Sequence, residues 1–400
     1  LKGKKNRPGG MNAYRIMNRQ IKKSIAAAKQ AWMRKKCKDI ETNLRFNNSK
    51  TAYQLVKELT ERKDKRSSPI LDKQGNRLTE DDKILERWTE YCTDLYNLKT
   101  EGDPEVLEVP EPSNKGDFPI LKDEVKAAIK SLKRGKSPGL DNIPAEFIIA
   151  GGESMVSILT AICNHIWQTG VWPSAWTRSL IITIPKKGNL QHCQNYRTIS
   201  LISHSSKVML KVMLKRLVTQ AEKIIKEEQA GFRAGRSTTE QIFNLRVLCE
   251  KYLQHQQELY HVFIDFRKAF DRVWHDALWA TMKLYNIDEH LINIIKALYS
   301  KASSAVFHNK KVGEWFHTTV GVRQGCLLSP TLFNIFLERI MDEALKNHRG
   351  TVSIGGRNIT NLRFADDIDG LAGTEEELER LVNTLDEAVC AFGMEINGSK

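Results

Sequence analysis

Asp366 and Asp367 stand side by side in the apolar stretch Leu362–Leu371, and Asp265 ends the apolar run Val262-Phe263-Ile264 about a hundred residues earlier. An isolated Asp-Asp pair reads as a solvated turn. Three acids delivered by two strands to one place read differently. Two carboxylates ~4 Å apart repel by roughly 4 kcal/mol at an effective dielectric of ~20, so such a cluster persists only if protonated or neutralised by cations. Two divalent ions held ~3.5–4 Å apart serve phosphoryl transfer, one activating the attacking oxygen and the other stabilising the leaving one.

The elements that must position these acids can be read from apolar spacing. Tyr260 to Asp265 is expected as a strand and Leu362 to Ala372 as a hairpin with the Asp pair at its tip. Helical periodicity marks Glu124 to Leu132, Glu153 to Gln168, Lys207 to Lys226, Asp288 to Leu298, Thr331 to Leu345 and Glu375 to Phe392, with Ser179 to Ile184 as a further strand. Nearer the start, Met17, Ile21, Ile25, Ala28 and Trp32 recur at spacings of three and four, the pattern of an amphipathic helix with Lys and Arg on its other faces. Ile70-Leu71 and Arg77-Leu78 flank a turn, and Thr79 with Asp82 suggests a capping box opening a helix through Ile84, Trp88 and Leu95. The Pro-rich acidic residues 101–119 read as a linker.

Four hundred residues with 41% apolar content suffice for two or three subdomains around substantial cores. No apolar run approaches the ~18 residues of a membrane span, so no membrane association is expected. Seven cysteines, widely spaced, odd in number and without a C-x-x-C pair, point to free thiols in a reducing compartment, nucleus and cytoplasm, and against a zinc site. Residues 1–70 carry 20 Lys and Arg against 5 Asp and Glu, whereas residues 71–400 carry 42 against 43. A basic extension on a near-neutral body is the footprint of a polyanion-binding arm.

A series of blocks stands in one order along the chain: Gly135-Lys136-Ser137-Pro138-Gly139-Leu140-Asp141, Ile184-Pro185-Lys186-Lys187-Gly188, Asn195 to Leu201, and Gln229-Ala230-Gly231-Phe232-Arg233. They continue with Ile264 to Asp271, Gly321-Val322-Arg323-Gln324-Gly325, Leu328-Ser329-Pro330, Phe364 to Asp367, and Phe392 to Asn397. In this order they resemble the reverse transcriptase domain of non-LTR (LINE-type) retrotransposons, over roughly Leu71 to Lys400. The resemblance implies an α+β fold, a right-hand polymerase with fingers and palm, a helical basic N-terminal extension, and the thumb absent. The expected division is a basic extension at 1–66, a hairpin, helix and linker at 67–119, and fingers and palm at 120–400, a fragment of a longer polyprotein.

The same resemblance assigns roles. Asp265, Asp366 and Asp367, with the backbone carbonyl of Phe266, would bind two Mg²⁺, with Mn²⁺ as an alternative. Lys186, Lys187 and Arg197 would contact the incoming triphosphate, for which a compact ammonium and a planar guanidinium are both suited. Phe270 aligns with a steric gate, an aromatic ring in the space of a ribose 2′-hydroxyl. Gln324 and Gly325 would meet the nucleotide, Phe232 and Arg233 a template strand, and Lys400 would protonate departing pyrophosphate. Asp271 and Asp369 are expected to be structural.

The expected function is RNA-directed DNA polymerisation from a primer 3′-hydroxyl, with RNA template, DNA primer or target and dNTPs as partners and an endonuclease upstream in the polyprotein. An intron-encoded maturase shares these blocks, and a non-catalytic nucleic-acid-binding remnant is the alternative of another class. An RNA-dependent RNA polymerase is disfavoured by Phe270, since it must admit the 2′-hydroxyl.

Overall fold

The computed structural model describes residues 10–46, 48–60, 69–99, 102–111, 118–186 and 188–398. Lys187 and Lys400 lie outside them. The chain divides into two compact units, Leu1–Ser67 and Ser68–Lys400.

The first unit contains the helices Gly10–Arg45 and Ser49–Thr60. The long helix forms where periodicity places it, but its apolar stripe stays uncovered, with Ile25 62% and Trp32 50% exposed. Such a helix gains little from burial and relies on its Ala, Lys, Arg and Gln content, all good helix formers.

In the second unit a three-stranded antiparallel sheet carries the acids, in the order Asn361–Phe364, Asp367–Ala372, Tyr260–Ile264. The register pairs Phe364 with Asp367 and Ile368 with Ile264. Its inner residues Ile264 and Ile368 join the main core with Phe333, Phe336 and Leu337 of the helix Ser329–Leu345 and Leu385 and Val389 of the helix Glu375–Ala391. Thr374 caps the latter helix by accepting the N–H of Glu377, and three glutamates fill its first turn, where the helix dipole favours negative charge. A five-stranded sheet stands beside it. Arg178–Pro185 runs antiparallel to Tyr196–Leu201 and parallel to Ser303–His308, which also pairs with Lys311–Val312 and Phe316–His317.

Several local expectations are corrected. The helix through Trp88 runs Asp81–Tyr96 with Glu80 at the N-cap and no side-chain cap, so no Thr79 capping box forms. The third long helix begins at His204 and ends at Ala221, short of Lys226. Helices at Thr238–Gln254 and His275–Leu284 were not expected. Within the stretch read as a linker, Pro104–Leu107 forms a 3-10 turn capped by Asp103, the Asp103 N–H donates to Ala391 O at 2.8 Å, and Val106 and Leu107 pack on the main core. No described helix is long and apolar enough to cross a membrane.

Candidate active site

The acidic hairpin turns through only two residues, Ala365 and Asp366, between the paired Phe364 and Asp367. Ala365 adopts φ +60° and Asp366 does not share the positive φ, the pattern of a turn that favours glycine at its first central position. Continuing the neighbouring register by one residue from Ile368 and Ile264 puts Asp265 opposite Asp367. All three aspartates therefore stand at one end of the sheet.

Their electrostatics agree. The Asp366 carboxyl is pushed above the usual carboxylate range, first by burial and then by the charges of Asp367 and Asp265, while the Arg197 guanidinium pulls the other way. Asp265 is held from the far side by the chain's last described segment. Asn397 donates its Nδ2 to Asp265 Oδ2 at 3.1 Å and its N–H to Asp265 O at 2.8 Å, Phe266 bridges to Ile396, and Arg267 N–H reaches Glu395 O at 2.9 Å. Asn397 was not expected as a site residue, although it closes the block Phe392 to Asn397.

The donor chemistry of three carboxylates and a carbonyl suits hard divalent cations. Among the described residues no group of three or more His, Cys, Asp and Glu side chains is gathered closely enough to hold a metal ion.

Arg197 stands near enough to this end of the sheet for its charge to act on Asp366. It is exposed on the strand Tyr196–Leu201, opposite Ile184, and Lys186 is exposed just past the end of the partner strand Arg178–Pro185. Phe270 is half-buried, stacked on Phe333 at 4.6 Å with an interplanar angle of 18°. It also meets the edge of Phe232 at 6.0 Å. Phe232 itself is 54% exposed at φ +59°. Gly325 has φ +102°, and a Cβ there would lie 2.9 Å from Ser200 O, so close packing and backbone conformation both demand glycine.

Gln324 is tied down. Its Nε2 donates to Asp271 Oδ1 at 2.8 Å, and its carbonyl accepts the Ser200 N–H at 2.8 Å. Asp271 is buried, with its pKa pushed up to about 6, burial outweighing the hydrogen bonds from Gln324 and from Tyr96 Oη at 3.3 Å. Tyr96 Oη also pairs with Thr198 Oγ1 at 2.7 Å. Asp369 is held by His261 Nδ1 at 3.2 Å. Arg233 is placed differently from the template-facing role expected of it. Its side chain is only 6% exposed, and its guanidinium is taken up by Glu222 and the carbonyls of Lys226 and Gln229. Arg323 is likewise internal, donating to Thr177 O.

Comparison with known proteins gives the constellation a lineage. The reverse transcriptase (RNA-dependent DNA polymerase) family matches residues 184–400, more than half of the chain. Among curated relatives, the uncharacterized 149 kDa protein of transposon TX1 from Xenopus laevis is 28% identical over 70% of this chain and 22% of its own length. The probable RNA-directed DNA polymerase from transposon BS of Drosophila melanogaster is 32% identical over 54% of this chain and 24% of its own. The Pol polyprotein of the type-1 retrotransposable element R2 of Popillia japonica is 29% identical over 70% and 39%. The chain thus spans well under half the length of these relatives. Among solved structures, an apo telomerase from Candida tropicalis, truncated from its C-terminal domain, has a TM-score of 0.45 at 17% identity, over 61% of this chain and 54% of that one. With a family match over most of its second unit and relatives drawn from mobile elements, the chain belongs to the reverse transcriptase family, in its non-LTR retrotransposon branch.

Proposed function

We propose that the chain carries the nucleotidyl-transfer site of an RNA-directed DNA polymerase that extends a DNA primer on an RNA template. The observation that carries the reading is geometric: the hairpin turn at Asp366 and the paired register bring Asp265, Asp366 and Asp367 to one end of a single sheet, where burial first and then the charges of Asp367 and Asp265 raise the Asp366 carboxyl against the pull of Arg197. A site that gathers negative charge beside an exposed arginine matches a reaction between polyanions that needs cations at its centre. Asp265, Asp366, Asp367 and the Phe266 carbonyl would hold two Mg²⁺. Bound there, divalent ions lower the pKa of the primer 3′-hydroxyl and neutralise charge on the triphosphate and pyrophosphate.

The remaining steps fall to this chain's own groups. Arg197 and Lys186 neutralise and orient the triphosphate. Phe270, braced by Phe333, excludes a ribose 2′-hydroxyl by filling its space. Gln324 faces the nucleotide with its Oε1, because ionised Asp271 accepts only and therefore takes the amide nitrogen. Gly325 lets backbone approach the nucleotide, and Phe232 offers a stacking face for a template base. Lys187 completes the triphosphate contacts and Lys400 supplies the proton to pyrophosphate. Residues 1–66 act as a basic arm on nucleic acid, 67–119 form a hairpin, helix and linker, and 120–400 form fingers and palm. An endonuclease upstream in the whole polyprotein would supply the primer.

The alternative is a nucleic-acid-binding remnant that performs no turnover at these aspartates. One experiment separates the two. The chain is given a DNA primer annealed to an RNA template with dNTPs and Mg²⁺, beside Asp366→Asn. Extension that falls to background in the variant, with template affinity kept, supports polymerisation. Equal extension by both overturns the assignment of Asp366, and template binding without extension by the unaltered chain favours the binding-only reading.

A further inference from the structure

The turn that presents Asp366 has an intrinsic weakness. Alanine at φ +60° pushes its Cβ toward backbone, a conformation that L-residues other than glycine rarely keep without outside support. That support is visible and comes from a segment far away in sequence. Gln229, 1% exposed, lays its amide against both polar groups of Ala365. Its Oε1 accepts the Ala365 N–H at 2.8 Å, and its Nε2 donates to the Ala365 carbonyl at 3.1 Å. The same Oε1 accepts the Gly231 N–H at 2.8 Å, so one side chain stitches its own loop to the hairpin tip.

The backbone around Gln229 is built to deliver that amide. Gln229 bridges in parallel to Arg363, with Arg363 N–H donating to Glu228 O and Ala230 N–H to Arg363 O, each at 2.9 Å. Residues 228–230 therefore extend the aspartate sheet along its outer strand. Gln241 reinforces the seam by donating to both Glu228 O and Arg363 O, at 2.8 and 3.0 Å. Gly231 permits the approach: a Cβ on it would lie 2.1 Å from Ala365 N. Asn334 holds Gly231 in turn, donating to its carbonyl at 2.8 Å from the core helix Ser329–Leu345.

We propose that Gln229 is a positioning residue for cation binding, fixing the Ala365-Asp366 peptide so that the Asp366 carboxylate is presented at the sheet end in one orientation. Glutamine is required because the clamp needs an acceptor and a donor on one planar group: a carboxylate lacks the donor and an apolar side chain lacks both. The carbonyl it grips belongs to the peptide that leads into Asp366, so losing that grip frees the rotation that aims the carboxylate. Gln229 does not meet nucleotide or cation itself. The inference rests on the reading of Asp265, Asp366 and Asp367 as cation ligands.

The test is Mn²⁺ binding to the chain alone, followed by electron paramagnetic resonance, with circular dichroism as the check on folding. Four proteins are compared: the unaltered chain, Asp366→Asn, Gln229→Met and Gln229→Met with Ala365→Gly. Removal of groups that orient metal ligands costs roughly 10- to 100-fold in affinity, and Gln229→Met is expected to fall in that range. Adding Ala365→Gly should recover part of the loss, since glycine holds φ +60° without a clamp; a glutamine that merely joined two segments would show no such rescue. Should Gln229→Met fold poorly, Asn334→Leu, which loosens Gly231 from behind, is expected to weaken Mn²⁺ in the same direction. If Asp366→Asn loses Mn²⁺ while Gln229→Met or its substitute binds normally, the positioning role is overturned and the cation site stands. If Asp366→Asn binds Mn²⁺ like the unaltered chain, the cation reading fails and the proposal with it.

Discussion

Replacing Asp271 by asparagine should make the protein more stable and its nucleotide site worse. Asp271 is a buried carboxyl whose hydrogen bonds, from Gln324 and Tyr96, do not offset its loss of solvent, so it titrates at about 6 rather than 3.8. Because the folded pKa is raised, the folded state binds the proton more tightly than the unfolded one. The associated stability is present below pH ~4 and is lost as pH rises through ~6, an amount of about 3 kcal/mol. Asparagine resembles the protonated acid in shape and in offering a donor and an acceptor, and it has no charge to desolvate. The two proteins should therefore be similar near pH ~4.5, and Asp271→Asn should be more stable by up to about 3 kcal/mol at pH ~7.5. At roughly 2 °C per kcal/mol for a domain of this size, that is a rise of about 6 °C in melting temperature. Urea unfolding or thermal melts across that pH range read the difference curve directly. The functional arm runs the other way. The substituted amide can present either of its ends, so Gln324 is no longer compelled to turn Oε1 outward, and KM for dNTPs should rise several-fold with kcat less affected. A stability difference that does not change across the range, or a variant that loses stability as pH rises, would refute the account of Asp271 as a buried charge retained for orientation.

Phe270→Ala should raise incorporation of ribonucleotides relative to deoxynucleotides by about tenfold or more in a competition assay, with a stability cost of roughly 1–3 kcal/mol from the missing stack on Phe333. Unchanged sugar selectivity with activity preserved would make Phe270 a packing residue only. Deleting residues 1–66 should weaken binding to unrelated nucleic acid sequences and flatten the fall of log K with log salt by roughly 0.7 to 0.9 for each phosphate that is no longer neutralised. Equal salt slopes with and without the arm would leave its lysines as solvation for an exposed helix.

What could be read in advance follows from how local each signal is. The strand before Asp265 and the hairpin around Asp366 are written in short apolar runs, and the observed bounds Tyr260–Ile264 and Asn361–Phe364 with Asp367–Ala372 differ from those expected by a residue or so. The helix Thr238–Gln254 escaped because only Leu248 on it is buried, while Ile242 and Phe243 point outward and blur the helical period. Within the stretch 101–119 read as a linker, the described residues 103–108 pack as folded structure for a related reason. Proline and acidic residues announce irregular backbone, but irregular backbone still packs when Val106 and Leu107 find a core. The same limit hid Tyr96, which reaches Asp271 across 175 residues of sequence.

Arginine shows most clearly where sequence reading stops. Arg197 and Arg233 both sit in blocks that match the family, and type alone suggests polyanion contacts for each. Arg233 has carboxylate and carbonyl acceptors in its own loop, Glu222, Lys226 and Gln229, and these enclose it. A guanidinium whose donors face that many local acceptors has little to offer a phosphate. Arg197 stands exposed on a strand, near enough for its charge to oppose the rise that burial and the neighbouring aspartates give Asp366. The difference is one of neighbours and not of residue type, so the two arginines should separate in one assay. If Arg197 meets the triphosphate as proposed, Arg197→Ala should act on dNTP affinity. Loss of Arg233 would act first on the loop that brings Gln229 to Ala365, and through it on the aspartates.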